Sequence, residues 1–313
     1  MQWMDFLRGV AIVLVIAWHA PGIPSMLGSP MPDWLRTVND FLLPYRMPTL
    51  MFLSGLLVPR SLEKPLTRYY WGKYQLVLWP YLIWSGIHMV QHIPAGPITN
   101  PQNWIATGYL WFLFFIGVYY SIAPFMRYFP AWCPPTFFAI MALALPEGHP
   151  ERFAYFAIFF FSGALVATHA KLLDAILRGG WVIGGAGLVA VAFGTLATRV
   201  DTQYETWGAP FSICGIAVAI YLASRVNGRS WTIPFRFIGR SSLVFYVAHF
   251  PIIYGAWTLF TLWSDARPDT ISIALFFLAL SACTGLAYFQ NIPPIKWLFR
   301  APSFPSISTK KWK

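Results

Sequence analysis

Trp3-Met4-Asp5-Phe6-Leu7-Arg8-Gly9-Val10-Ala11-Ile12-Val13-Leu14-Val15-Ile16-Ala17-Trp18-His19 is the stretch that decides the fold. From Gly9 to Trp18 it holds no charged or amide side chain. A helix that is apolar all round is covered all round, by a large core or by lipid. Arg8 and His19 are eleven positions apart, close to three helical turns, so they share a face and lie about 16 Å apart along the axis. Ionisable groups inside a membrane are costly, and each is a functional candidate by default. The bland alternative is an arginine snorkelling to one surface and a histidine filling space at the other.

The rest of the chain tells lipid from core. Of 313 residues, 57% are hydrophobic and 11% charged, against about 25% charged in a soluble domain. Water offers no way for a domain of this size to bury that much apolar surface. Aromatic residues make up 19%, including 16 Trp, a side chain that favours the bilayer interface. Asp5 at the start of the first run, and further apolar runs throughout, read as membrane spans rather than a cleaved leader. Cys133, Cys214 and Cys283 are odd in number and far apart, which gives neither a disulfide framework nor zinc spacing.

Ten apolar segments stand out, at roughly 6–20, 38–58, 76–93, 106–125, 136–146, 153–168, 181–198, 209–224, 241–262 and 271–289. Charge tests that count. With both termini cytoplasmic, sixteen of the 22 lysines and arginines fall on the inner side and four on the outer side, in keeping with the positive-inside rule. The expected architecture is all-α: a polytopic bundle of about ten spans in the cell's inner (plasma) membrane. Residues 1–290 form the transmembrane domain and 291–313 a basic, irregular cytoplasmic tail. The net charge of +11 then reflects topology, and nucleic acid is not an expected partner. No internal repeat points to a transporter built from two halves.

The second segment carries Phe41-Leu42-Leu43-Pro44-Tyr45-Arg46-Met47-Pro48, which puts Arg46 at about the depth of His19. A buried arginine needs partners, and carbonyls freed by Pro44 and Pro48 would suit. A structural tie to Asp40 or to a lipid headgroup is the competing account. Asn39 and Asp40 flank the outer mouth, where they could contact a polyol or cap the helix. Asp40 and Tyr45 are candidate substrate contacts. His249, with Tyr246 one turn earlier, is a candidate for substrate binding, for supporting the site or for plain packing. His88 and His92 share a face, but two histidines make a poor metal site.

These residues resemble a known family. Trp3-Met4-Asp5-Phe6-Leu7-Arg8-Gly9 with His19 is similar to the opening of the acyltransferase-3 family of membrane proteins. Arg46-Met47-Pro48 with Phe52-Leu53-Ser54-Gly55 resembles its second-helix signature. Trp79-Pro80-Tyr81-Leu82-Ile83-Trp84, Leu110-Trp111-Phe112-Leu113 and Gly239-Arg240-Ser241-Ser242 with Tyr246 and His249 resemble later blocks. The overall look is similar to the fucose-4-O-acetylase-like branch. The resemblance implies transfer of an acyl group, commonly acetyl from acetyl-CoA, to a hydroxyl of a sugar, glycan or glycolipid, with His19 catalytic.

The parts suit that chemistry. Transfer to an alcohol needs a base for the hydroxyl proton and positive or N–H groups for the oxyanion. His19 can serve as the base and Arg46 as the cation. A thioester donor is already activated, so neither a metal nor a tightly bound cofactor is required. Direct transfer and an acyl-histidine both remain open. Phosphates of coenzyme A need cations, which Arg8 and the inner loops supply through Arg60, Lys64, Arg68 and Lys73 and through Arg225, Arg229, Arg236 and Arg240. Arg240 and Ser241, at a helix opening, suit phosphate. Positive-inside charge alone explains any single one of these. A transporter or flippase for a glycan or lipid intermediate is the rival reading.

Overall fold

The computed structural model describes residues 2–91, 97–260 and 267–302, and among these the chain is helical, with no strand. Helix α1 (Gln2–Met26) runs through the centre of the bundle. It buries Trp3, Leu7, Ala11, Ile12, Val15 and Ile16, on more than one face. Helix α2 (Asp33–Gly55) lies beside it, followed by the short α3 (Val58–Leu62) and α4 (Leu66–Lys73). A π-turn over Tyr74–Leu78 leads into α5 (Trp79–Gln91). Then come α6 (Trp111–Met126), α7 (Cys133–Ala144) and α8 (His149–Thr168). The second half holds α9 (Ala170–Arg178), α10 (Trp181–Ala197), α11 (Ala209–Arg225), α12 (Ile233–Arg240), α13 (Ser242–Phe260), α14 (Pro268–Phe289) and α15 (Ile295–Phe299).

Among the described residues each of the ten apolar segments holds a helix, but they are not ten spans of equal standing. Among the described residues, seven helices are long and apolar enough to cross a membrane: Gln2–Met26, Asp33–Leu62, Gly108–Met126, His149–Thr168, Thr206–Arg225, Ser242–Phe260 and Pro268–Phe289. An eighth appears if α9 and α10 are taken as one span, but their axes meet at 81°. Gly179 and Gly180 make that corner at φ +76° and +91°, a region open to glycine. The bend has a physical sense. Helix α9 is amphipathic, with Lys171, Asp174 and Arg178 along one face, whereas α10 exposes Trp181, Val182, Leu188 and Val191. The first composition suits the plane of an interface and the second suits lipid. Among the described residues, the expected spans at 76–93 and 136–146 meet helices of 13 and 12 residues, α5 and α7. Among the described residues, length and composition alone therefore support seven or eight spans, against the ten expected.

Two helix pairs approach so closely that only glycine fits. A Cβ at Gly55 would overlap the Phe160 carbonyl of α8, and one at Gly163 would overlap the Phe52 carbonyl of α2. Gly9 and Gly239 do the same for α1 and α12, against the carbonyls of Phe235 and Asp5. Small residues let membrane helices touch backbone to backbone, where dispersion replaces the missing hydrophobic force. The start of the tail is not irregular as expected. Trp79 and Trp84 donate indole N–H bonds of 2.7 and 2.9 Å to the carbonyls of Trp297 and Leu298, docking α15 on α5. The tail beyond residue 302 lies outside the described residues.

Candidate functional site

Helix α1 carries a stripe at Arg8, Ile12, Val15 and His19, and that stripe meets two cavities. Arg8 and Ile12 line the first, of about 400 Å³, named the inner cavity after the side expected for Arg8. Val15, Trp18 and His19 line the second, of about 120 Å³, named the outer cavity after the side expected for His19. Spacings of four, three and four residues keep the stripe on one face.

The inner cavity is cationic. Arg8, Lys64, Arg68 and Lys73 line it together with the hydroxyls of Ser54, Ser61 and Ser242, and no acidic residue does so among the described residues. Ile12, Leu50, Val77 and Leu113 give it an apolar wall. Lys73 sits 3.3 Å above the centre of the Tyr120 ring and 5.4 Å from that of Tyr69. Burial, with the like charge of Lys64, pushes its ammonium down to about 8. A cluster of this kind suits a phosphate-bearing ligand with an apolar arm.

The outer cavity is aromatic, bordered by Trp18, Tyr109, Trp111, Tyr155, Tyr204 and Tyr246. Arg46 enters between Pro44 and Pro48 and is 5% exposed. Its Nη1 donates to Asn39 Oδ1 at 3.3 Å, and its guanidinium lies 5.2 Å from the Trp18 ring centre. Neither an Asp40 ion pair nor the freed proline carbonyls account for it. Asn39 and a tryptophan face hold it, which leaves the charge uncancelled by any paired carboxylate among the described residues. On the far wall, the Thr202 hydroxyl is buried with no hydrogen-bond partner among the described residues. Tyr204 next to it adopts φ +66°, with the Arg152 guanidinium 4.4 Å from its ring centre.

His19 meets a second histidine. His19 Nδ1 lies 2.9 Å from the Val15 carbonyl and 3.2 Å from His249 Nε2. His249 has no exposed surface, and its Nδ1 lies 3.0 Å from the Phe245 carbonyl. Between the cavities stands Tyr246, which lines both. Its hydroxyl donates to the Tyr109 carbonyl, while the Tyr109 hydroxyl donates to the Val247 carbonyl at 2.5 Å. This reciprocal pair staples the turn before α6 to α13.

The profile of the acyltransferase-3 family, an acyltransferase domain, matches residues 1–290. The chain belongs to that family. No curated protein and no solved structure matches it. The chain is thus a membrane acyltransferase, and its apolar helices suit a multi-pass protein.

Some expected site residues of this acyltransferase lie elsewhere. Tyr45 turns away from the outer cavity: its hydroxyl donates 2.5 Å to the Ala190 carbonyl of α10 and its ring packs on Gly215. It is adjacent to Arg46, and neighbours on a helix point about 100° apart. Asp40 does not border the outer cavity, although its neighbour Asn39 holds Arg46. His249 lies behind His19 and does not line the cavity itself. Arg240 is exposed, and the buried Ser241 accepts a 3.2 Å bond from Gln290, so neither borders the inner cavity. Ser242, the first residue of α13, does. His88 packs against the rings of Tyr109 and Phe250, and its expected companion His92 lies outside the described residues. Asn39, Trp18, Thr202 and Tyr204 complete the outer site. Trp18 was signalled only by its place beside His19, and the loop residues Thr202 and Tyr204 carried no sequence signal.

Proposed function

We propose that this acyltransferase moves an acyl group, acetyl in the first instance, from acyl-CoA in the inner cavity to a hydroxyl of a sugar, glycan or glycolipid in the outer one. One observation carries the reading: a single face of α1 borders a cation-lined cavity at Arg8 and an aromatic, imidazole-bearing cavity at His19. Arg8, Lys64, Arg68 and Lys73 hold the phosphates of coenzyme A, and its pantetheine arm lies along Ile12 toward Tyr246. The acceptor hydroxyl gives its proton to His19 as its oxygen bonds to the thioester carbonyl carbon. Arg46 faces the oxyanion that forms. The carbon–sulfur bond then breaks, and the proton passes from His19 to the departing thiolate, releasing free coenzyme A. The cytoplasm supplies the donor, and the acceptor meets the site from the outer side of the cell membrane.

Inside-out membrane vesicles given acetyl-CoA labelled in the acetyl group test this. Label is expected in extracted glycans or glycolipids, with one free thiol released per acetyl transferred. A transporter or flippase of the same shape releases no thiol, and that outcome overturns the proposal.

Lys73 gives the reaction a pH signature. Its pKa of about 8 means that the cation present at pH 7 is lost as pH rises to 9. A phosphate ligand favours the protonated form, so donor affinity falls on the alkaline side. The KM for acetyl-CoA is expected to rise about tenfold from pH 7 to 9, the weight of one charge-assisted contact. Lys73→Met should start with the weaker affinity and lose the slope. An unchanged slope in that variant would take Lys73 out of the donor site.

A further inference from the structure

We propose that His249 is a positioning residue that fixes the tautomer of His19, so that the bare nitrogen of His19 is Nε2. The proposal rests on the acyl-transfer reading of the outer cavity. A backbone carbonyl only accepts, so the contact of His249 Nδ1 with the Phe245 carbonyl at 3.0 Å requires a hydrogen on Nδ1. In a neutral ring that leaves Nε2 with a lone pair, and this lone pair is directed at His19 Nδ1, 3.2 Å away. His19 Nδ1 faces a second acceptor, the Val15 carbonyl at 2.9 Å. A nitrogen between two acceptors carries the hydrogen and shares it. His19 is then protonated on Nδ1 and bare on Nε2, the nitrogen left for the cavity that the ring lines.

The arrangement resolves a difficulty of membrane catalysis. A base in a water-poor site needs its second nitrogen satisfied, or the ring turns to satisfy it. A carboxylate is the usual partner of such a nitrogen, as in hydrolase triads, but it would carry a charge into lipid. A neutral imidazole supplies the same acceptor at no charge. When His19 takes the hydroxyl proton, its Nδ1–H remains shared by Val15 and His249. Neighbouring rings hold both histidines in place: Phe250 lies edge-on to His19 at 5.6 Å, and Tyr109 edge-on to His249 at 5.7 Å. Two chain segments 230 positions apart thus set one proton.

Two variants and one spectrum test this. His249→Leu keeps bulk and removes the acceptor, whereas His249→Gln puts a carbonyl oxygen within reach of His19 Nδ1. Release of thiol from acetyl-CoA is followed with purified protein in nanodiscs, with a total glycan and lipid extract of the expressing cells as acceptor. His249→Leu is expected to lose about 100-fold in kcat with the KM for acetyl-CoA unchanged within about threefold, and His249→Gln to recover about tenfold. Wild-type turnover in His249→Leu, or equal rates in Leu and Gln variants, overturns the proposal. Nitrogen-15 histidine spectra of the wild-type protein, with His19 assigned by its loss in His19→Asn, read the tautomer without any variant at His249. A signal pair for His19 with hydrogen on Nδ1 supports the proposal, and hydrogen on Nε2 overturns it. If the tautomer stands but the wild-type protein releases no thiol, the acyl-transfer reading fails instead.

Discussion

His19→Ala is expected to lower acyl transfer about 1,000-fold while leaving the protein inserted, monodisperse and able to bind acetyl-CoA. General base catalysis contributes about 10² to 10⁴ in rate, and the stripe on α1 offers no other group able to take a proton at that depth. The inner cavity begins two turns away at Ile12 and does not include His19, so donor affinity should change less than about threefold. The split between turnover and donor binding is what separates a lost base from a collapsed helix. Isothermal titration with a non-transferable acetyl-CoA analogue gives the second quantity, and thiol release gives the first. Full turnover in His19→Ala would refute the role assigned to this side chain.

Gly163→Ala is expected to have the second large effect, on stability rather than chemistry. A methyl group at this position runs into the Phe52 carbonyl of α2 and the Leu56 amide at its C-terminal end, and backbone gives way less easily than a side chain. Helix α2 would have to retreat from α8. Overpacking of this kind costs about 1–3 kcal/mol, and here the partner Gly55 loses its own contact with the Phe160 carbonyl at the same time. The expected result is a fall of several degrees in the unfolding temperature in detergent, read by loss of the monodisperse peak after heating. Gly184→Ala is the control: its Cβ meets nothing within 4 Å among the described residues and should not lower the unfolding temperature. Equal curves for the two variants would show that the close approach of α2 and α8 carries no stability.

Legibility in the sequence followed the physical range of each interaction. The helices were readable because apolar runs are local, and so was the shared face of Arg8 and His19, because the helical repeat is fixed. The short segments were harder. Whether 76–93 counts as a span depends on the π-turn over Tyr74–Leu78, and the fate of 170–198 turned on the corner at Gly179 and Gly180. Rotation about the helix axis separates Tyr45 from its neighbour Arg46, and its hydroxyl reaches Ala190 on α10. Ser241 and Ser242 show the same effect at one residue's distance, with only the second at the inner cavity. The His19–His249 contact joins α1 to α13, and no local pattern announces a contact across the whole chain.

The staple between Tyr109 and Tyr246 bears on what the cell keeps as well as on what it exports. A protein that hands a chemical group across a membrane risks opening a route for ions and protons. Here the two vestibules share a single phenol ring, pinned at its tip, so a bulky cargo in either one need not connect the aqueous phases. On the proposed function, such a partition would let cytosolic metabolism decorate the outer surface while the electrochemical gradient across the bilayer stays intact.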